Sequence, residues 1–242
     1  MFSFIAGLVT ALSSYAIQPV VTLSGGIATP LGGQSQNLTF ANTTFNYQPD
    51  NSSVVKPIFG GSIGLEYALN KSWIWQFGLG FYQTASNSVS GEEDQAPMLN
   101  PNAGNFWNYH YNVQSRQILF ENKLFLTLPK EMYPYFFLGL GEGFNRTSGF
   151  EVTPQNSGEV ATAVYGNNTN ENFVYMTGLG LDKNISKHLR LGVGYRVGYL
   201  GKYDLGTGVL NTGAGGAVFS LPALTSPRSV SQEVLIQLTG LL

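Results

Sequence analysis

The chain has 242 residues, only 11% of which are charged, and its formal net charge is −2 at pH 7. This length suits one β domain of ordinary size, and a slightly acidic chain is not expected to present a nucleic-acid surface. The absence of cysteine excludes disulfides, thiolate metal sites and catalysis by a thiol.

Residues 1–16 form an apolar segment, MFSFIAGLVTALSSYA, that ends in the small-x-small triplet Ser14-Tyr15-Ala16. Such a segment is typical of a secretory signal peptide. We therefore expect the mature chain to begin near Ile17, and an N-terminal core strand is the alternative. The basic residues that usually open a signal peptide are missing, which is consistent with a true start codon upstream.

The first predicted strands alternate between large apolar residues and small or polar ones, as half-buried strands do. In the second of them, Phe59, Ile63 and Leu65 share one face, whereas Ser62 and Glu66 share the other. These three predicted strands cover residues 18–28, 57–69 and 73–84.

The next two predicted strands, residues 113–127 and 133–146, alternate less regularly. Asn122 falls on the apolar face of the first, while Leu119 and Phe125 fall on its polar face. A β-bulge is one explanation for this irregularity. In the second, the apolar face is interrupted by Glu142.

The clearest alternation lies in residues 172–200, where two runs flank a short polar turn and predict a β-hairpin. After the turn, one face is apolar and the other combines glycines with charges. The apolar face holds Leu189, Leu191, Val193, Tyr195, Val197 and Tyr199, and the opposite face holds Arg190, Gly192, Gly194, Arg196, Gly198 and Leu200. A glycine-and-charge face suits a narrow lumen, and the apolar face then needs lipid.

A last alternating stretch, residues 229–242, brings the predicted strands to eight. Long polar connections alternate with short turns, as in transmembrane barrels with short periplasmic turns and longer outer loops. The long connections, predicted to be loops, are residues 29–56, 85–112, 147–171 and 201–228. We therefore predict an all-β fold for residues 17–242, an eight-stranded antiparallel up-and-down transmembrane β-barrel with four long outer loops and three short periplasmic turns.

Two segments, YPYFFLGLGEGFN at 133–145 and LGLDKNISKHLRLGVGYR at 179–196, resemble small outer-membrane β-barrels of the OmpA-like, opacity-protein-like eight-stranded family. The resemblance covers essentially all of residues 17–242. It implies a location in the cell outer membrane of a Gram-negative bacterium. One departure is Leu242, which stands where the closing strand of this family usually ends in an aromatic residue.

Two sets of residues are the candidate sites. A charge network is predicted inside the lumen, and its equal numbers of acids and bases favour a self-satisfied plug over an ion-selective channel; its members are Glu66, Glu121, Lys123, Arg190, Arg196 and Glu233. Arg196 and Glu233 are expected to meet. Aromatic residues at the membrane interface are the second set, comprising Trp73, Trp75, Phe81, Tyr195 and Tyr199.

Catalytic and metal-binding patterns are weak in this chain. Neither His110 nor His188 is followed by a serine in a His-x-Ser arrangement, so no enzymatic activity is predicted. The acidic run at residues 92–94 lacks calcium-ligand spacing and is expected to be solvated. We expect no cofactor and no metal.

The sequence favours a structural or surface-interacting role, because eight strands leave an interior just wide enough for side chains to fill. A narrow porin-like channel or carrier for small solutes is one alternative, and a soluble lipocalin-like barrel is another. The expected partners are outer-membrane lipid and lipopolysaccharide, the barrel assembly machinery and surface or host ligands of the loops. The protein is expected to be monomeric and to bind no nucleic acid.

Overall fold

The computed structural model describes residues 17–31, 35–40, 43–50, 55–97, 105–155, 162–211, 218–225 and 229–242. The predicted signal peptide, residues 1–16, lies outside them. The described residues form fourteen strands, and none of their helices is long and apolar enough to cross a membrane.

Eight of the strands close into a ring in which each strand pairs with its neighbours in antiparallel fashion. Around the ring they are β1 (Ile17–Leu31), β4 (Lys56–Ala68), β5 (Trp73–Thr84), β7 (Asn105–Leu126), β8 (Met132–Pro154), β10 (Asn168–Ser186), β11 (Leu189–Gly201) and β14 (Ser229–Leu241). All eight sequence-predicted strands are present in the predicted order. The prediction of an eight-stranded antiparallel up-and-down barrel is confirmed.

The register of the ring fixes the tilt of its strands. Directly paired residues, followed once around the ring from Tyr67, lead back to β4 at Pro57, an offset of ten residues. With eight strands and standard strand spacings, this offset corresponds to a tilt of about 40°. A barrel of this size has an interior that side chains can fill.

Short turns join the ring strands at one end, which we call the turn end. Asn70 makes one of these turns by accepting hydrogen bonds from the backbone N–H groups of Ser72 and Trp73, at 2.8 and 2.9 Å. Another turn places Lys130 and Glu131 in the left-handed region, with φ of 66° and 57°. The opposite end of the barrel is its loop end.

The long connections differ from the prediction of irregular polar loops. They contain β2 (Gln36–Phe40), β3 (Thr43–Pro49), β6 (Asn87–Pro97), β9 (Thr162–Tyr165), β12 (Gly208–Asn211) and β13 (Val218–Leu221). The first three extend the barrel sheet in the order β2-β3-β6-β7, and the others form a separate sheet in the order β13-β12-β9. We call these six strands, the loop-side ends of β7 and β8, and residues 202–207 the cap.

The cap forms strands because it buries an apolar core of its own. This core contains Leu38, Phe45, Tyr47, Tyr109, Phe150, Ala163, Tyr165, Leu205, Leu210, Leu221 and Leu224. A second core inside the barrel includes Leu119 and Phe125, which are fully buried. No bulge is needed to place them, because the pairing of β5 with β7 is continuous from Arg116 to Leu126.

Candidate functional site: the charged lumen and its cap

The loop-side layer of lumen charges is built around Arg196. Arg196 on β11 and Glu233 on β14 are directly paired in the register, and the Arg196 Nε donates to a Glu233 carboxylate oxygen at 2.5 Å. The Arg196 Nη1 lies 3.8 Å from a Glu121 carboxylate oxygen, and its guanidinium carbon lies 3.9 Å from the Tyr82 ring centroid. All four side chains are buried. Burial of a guanidinium is tolerable here because acids and an aromatic face surround it.

The turn-side layer is built around Arg190 on β11. Its two terminal nitrogens donate to both oxygens of Glu66 on β4, at 2.9 and 3.1 Å, and its Nε donates to Asn184 at 3.1 Å. Such bidentate pairs are the strongest charge-assisted arrangement available to arginine. The guanidinium is also sandwiched at 5.1 and 4.8 Å from the ring centroids of Phe125 and Tyr133.

Lys123 is bound by neutral groups. Its Nζ donates to Gln237 Oε1 at 2.8 Å, and the Tyr135 hydroxyl donates to the same oxygen at 3.0 Å. The Lys123 Nζ also lies 4.8 Å from the centre of the Tyr135 ring. Side chains from β7, β8 and β14 therefore meet across the lumen.

Two further charges lie in the lumen that the sequence reasoning did not assign to it. Asp182 and Lys56 are 1% and 6% exposed. The sequence indicates a polar turn between the two strands of the hairpin, but β10 continues to Ser186, so Asp182 keeps the inward parity of Val174 and Met176. Lys56, the last residue of a predicted loop, is the first residue of β4.

The eight buried charges of the ring strands balance. Four are acids and four are bases, namely Glu66, Glu121, Asp182 and Glu233 against Lys56, Lys123, Arg190 and Arg196. The two missed residues have opposite sign, so the balance expected from the six predicted charges is preserved. A balanced lumen has no electrostatic preference for cations or anions.

Glycines provide the room that these inward side chains occupy. A Cβ placed on Gly180 or Gly194 would collide with the Tyr135 side chain, and one placed on Gly192 would collide with the Asp182 carboxylate. The glycine-rich inner face of the hairpin is therefore complementary to large side chains that cross from β8 and β10.

A cavity of about 10 Å³ lies next to Arg196 and Gln237, lined also by Tyr135 and Gly194. This volume suffices for about one water molecule. The two terminal nitrogens of Arg196 lack hydrogen-bond partners among the described residues.

At the loop end, residues 202–207 cross the mouth of the barrel. Asn145 on β8 donates to the carbonyl oxygens of Leu200 and Lys202 at 2.6 and 3.0 Å, and Thr147 donates to that of Asp204 at 2.8 Å. Tyr203 is buried beside Ser115 of β7 and Ser229 of β14, two strands on opposite sides of the ring. The segment is thus held across the full width of the mouth.

The predicted interface aromatics all lie on the outer face of the ring. Trp73, Trp75, Phe81 and Tyr195 are exposed, and Tyr199 is half-buried against Tyr175, with ring centroids 5.5 Å apart. Trp73 and Trp75 adjoin the turn end. Tyr195 instead lies mid-strand, and its hydroxyl donates to the outward-facing Gln232 at 3.0 Å.

The histidines and the acidic run occupy the two ends of the molecule. His110 forms an exposed pair with Glu151 at 3.4 Å in the cap, and His188 lies exposed at a turn. The run at 92–94 is not uniformly solvated as expected, because Glu93 is fully buried. No cluster of three or more metal-ligating side chains occurs in the part of the chain that the structure describes.

Comparisons with known proteins bear on the fold. No protein-family model and no curated protein matches the chain. Among solved structures, it is similar to Neisserial surface protein A, with 13% identity, 94% of this chain and 99% of that chain covered, and a TM-score of 0.40. It is also similar to the outer membrane protein OprG of Pseudomonas aeruginosa, with 11% identity, 91% of this chain and 95% of that chain covered, and a TM-score of 0.44. A third similar structure is the outer membrane protease OmpT of Escherichia coli, with 7% identity, 93% of this chain and 95% of that chain covered, and a TM-score of 0.48.

The architecture of this chain itself rests on its own strand pairing.

Proposed function

We propose that this protein is an integral β-barrel of a bacterial outer membrane with a structural or surface-interacting role. Its lumen is closed by side chains, its turn end faces the periplasm, and its cap faces the exterior. Outer-membrane lipid and lipopolysaccharide surround it, the barrel assembly machinery inserts it, and it functions as a monomer. The cap binds ligands at the cell surface.

The observation that carries this proposal is the outer face of the ring. Large apolar side chains point outward from every ring strand and are exposed, as shown by Leu23, Ile63, Leu79, Phe120, Leu138, Leu179, Val193 and Ile236. Soluble proteins rarely expose an apolar surface of this extent, whereas lipid accommodates it. The buried charges inside and the exposed apolar residues outside form the inside-out pattern of a membrane barrel.

The soluble lipocalin-like alternative requires the opposite arrangement. It places the apolar face inside and the charges outside. Trp75 is 39% exposed and Arg196 is 4% exposed, which is the reverse of that requirement. A membrane barrel therefore explains both residues and a soluble barrel explains neither.

The porin-like alternative requires a continuous lumen. The buried pairs Arg196–Glu233 and Arg190–Glu66 occupy two successive levels of the barrel, and residues 202–207 cross its mouth. The balanced charges also lack the single sign that lines an ion-selective pore. These contacts favour a closed barrel, and we propose no enzymatic activity for it.

The experiment is refolding into lipid vesicles followed by single-channel recording in planar bilayers. We expect heat-dependent gel mobility, which reports a folded barrel, and no conductance above the membrane baseline. A second recording uses a variant lacking residues 36–49, which removes part of the cap and leaves all ring strands. This variant should also show no conductance, because the two layers of paired charges in the lumen remain.

Stable conductance of the wild-type protein would establish the porin-like alternative. Conductance of the shortened variant alone would assign the closure to the cap instead of the lumen. Failure of the wild-type chain to associate with vesicles would overturn the membrane assignment.

A further inference from the structure

Glu93 occupies an unusual place in the cap core. It lies on β6 with 0% exposure, and its register partners are Tyr47 on β3 and Trp107 on β7, both of which are 1% exposed. A carboxylate in the interior of an extramembrane sheet adds nothing to packing that an apolar residue would not provide. Its presence there requires an explanation.

The polar contacts of Glu93 are too few to offset the burial of an anion. One carboxyl oxygen accepts from Gln95 Nε2 at 2.7 Å, whereas the other, Oε2, is buried without a hydrogen-bond partner. None of the ion pairs among the described residues includes Glu93. An ionised carboxylate that is buried without a cation is costly, so such groups take up a proton instead.

Among the described residues, the groups that face Glu93 offer no positive charge. From β3 it faces Tyr47, from β7 it faces Trp107 and Tyr109, and on its own strand it faces Gln95. Tyr165 of β9 lies behind Tyr47. Asp50 lies near these residues and interacts electrostatically with Tyr109, but it is an acid and brings no positive charge.

Glu93 also lies where the two sheets of the cap are joined. The hydroxyls of Tyr47 and Tyr165 are hydrogen-bonded at 3.1 Å, which links the extension of the barrel sheet to the separate small sheet. The rings of Tyr109, Phe150 and Tyr165 continue this contact, with Phe150 packed edge-on against Tyr165 at 4.9 Å between centroids. A negative charge on Glu93 therefore arises next to the joint itself.

We propose that the cap is a proton-controlled closure, in which neutral Glu93 holds the two sheets together and ionised Glu93 loosens them. At acidic pH the two sheets of the cap stay packed together and the aromatic residues between them stay buried. Above neutrality the β3–β6 region opens more often and presents Tyr47, Tyr109 and Phe150 to the exterior. The barrel ring below does not take part.

The direction of the pH dependence follows from the two states of the carboxyl group. Burial raises the pKa of Glu93 from about 4.5 to about 7 in the closed cap, although Gln95 and the nearby Tyr47 hydroxyl oppose part of this rise. Because the closed state holds its proton more tightly, its stability is full below pH 4.5 and is lost as the pH rises toward 7. Between pH 4 and pH 8 the closing equilibrium is expected to fall about 200-fold.

The test is hydrogen exchange, read by mass spectrometry, of the vesicle-embedded protein at pH 4 and pH 8. Wild type is compared with Glu93→Gln at each pH, so that the intrinsic pH dependence of exchange cancels. Relative to this variant, wild-type peptides from β3 and β6 should lose about 200-fold protection on going to pH 8. Peptides from β11 and β14 should be identical in both proteins.

Glu92→Gln is the matched control, because the neighbouring Glu92 side chain is exposed; it should behave as wild type. If Glu93→Gln does not fold, Gln95→Leu replaces it, since loss of the Gln95 donor shifts the opening to higher pH. Equal pH response of wild type and Glu93→Gln would overturn the proposal. An unshifted response in Gln95→Leu, or an effect of Glu92→Gln equal to that of Glu93→Gln, would overturn it as well.

Discussion

At the scale of single residues, the pair of Arg196 and Glu233 shows how the lumen tolerates charge. Glu233 is 0% exposed and Arg196 is 4% exposed, so removing one partner leaves the other charged and buried. Arg196→Met should therefore lower the free energy of unfolding by about 3–5 kcal/mol. Urea titration in lipid vesicles provides the measurement.

A double variant, Arg196→Met with Glu233→Leu, is the control for this prediction. The double variant no longer contains the unpaired Glu233 carboxylate and leaves only Glu121 without its Arg196 partner, so it should be more stable than Arg196→Met alone. If the stability lost in the double variant equals the sum of the losses measured in Arg196→Met alone and in Glu233→Leu alone, the two charges do not interact.

The outer face can be tested at Val193, which is 49% exposed on β11. An arginine there must enter lipid, so Val193→Arg should cost about 2–4 kcal/mol of unfolding free energy near the bilayer midplane. Val209, on β12 of the cap, is 42% exposed and serves as the matched site. Val209→Arg should change stability little in the same titration, and equal losses at both sites would argue against a lipid-facing β11.

At the scale of elements, the hairpin of β2 and β3 is attached to the barrel only at its edge. β3 pairs with β2 and β6, and neither β2 nor β3 pairs with a strand of the ring. Deletion of residues 36–49 should therefore preserve the barrel while exposing part of the cap core. Heat-modifiable mobility should survive the deletion, and trypsin should cleave the remaining cap faster than in wild type. A variant that no longer folds would show that the cap is needed to form the ring.

The ring strands could be predicted from sequence because their alternation runs through many residues. In β11, glycines and arginines at even positions and large apolar residues at odd positions define both faces without any tertiary information. The same parity placed Arg190 and Arg196 inside. Asp182 was missed because the polar residues after it suggest a turn, although its parity was available in the sequence.

The cap strands could not be predicted in the same way. They span only four to eleven residues, so each offers few positions from which an alternation can be recognised. Their stability comes from distant partners, such as Glu93 opposite Tyr47. Local patterns carry no information on such pairings, because tertiary contacts override weak strand propensity.

At the scale of the whole molecule, exposed lysines mark the turn end. Lys71, Lys130, Lys183 and Lys187 are all exposed there, whereas Lys202 is exposed at the loop end. If the turn end faces the periplasm, a membrane-impermeant amine reagent should modify Lys202 in intact cells and Lys187 only after the outer membrane is permeabilised. Peptide mapping by mass spectrometry reads both sites, and labelling of Lys187 in intact cells would reverse the orientation.

The inside-out distribution of residues is the central claim, and the absence of cysteine allows it to be tested directly. Single cysteines introduced one at a time at the outward-facing positions 191, 193, 195 and 197 of β11, and at the exposed position 209 of the cap, can each carry one spin label. Accessibility to oxygen, which concentrates in lipid, and to a water-soluble nickel complex should then be measured in vesicles.

We expect labels at 191, 193, 195 and 197 to be accessible to oxygen and shielded from nickel, whereas the label at 209 should be accessible to nickel. Nickel accessibility at the four β11 positions equal to that at position 209 would contradict a lipid-facing barrel.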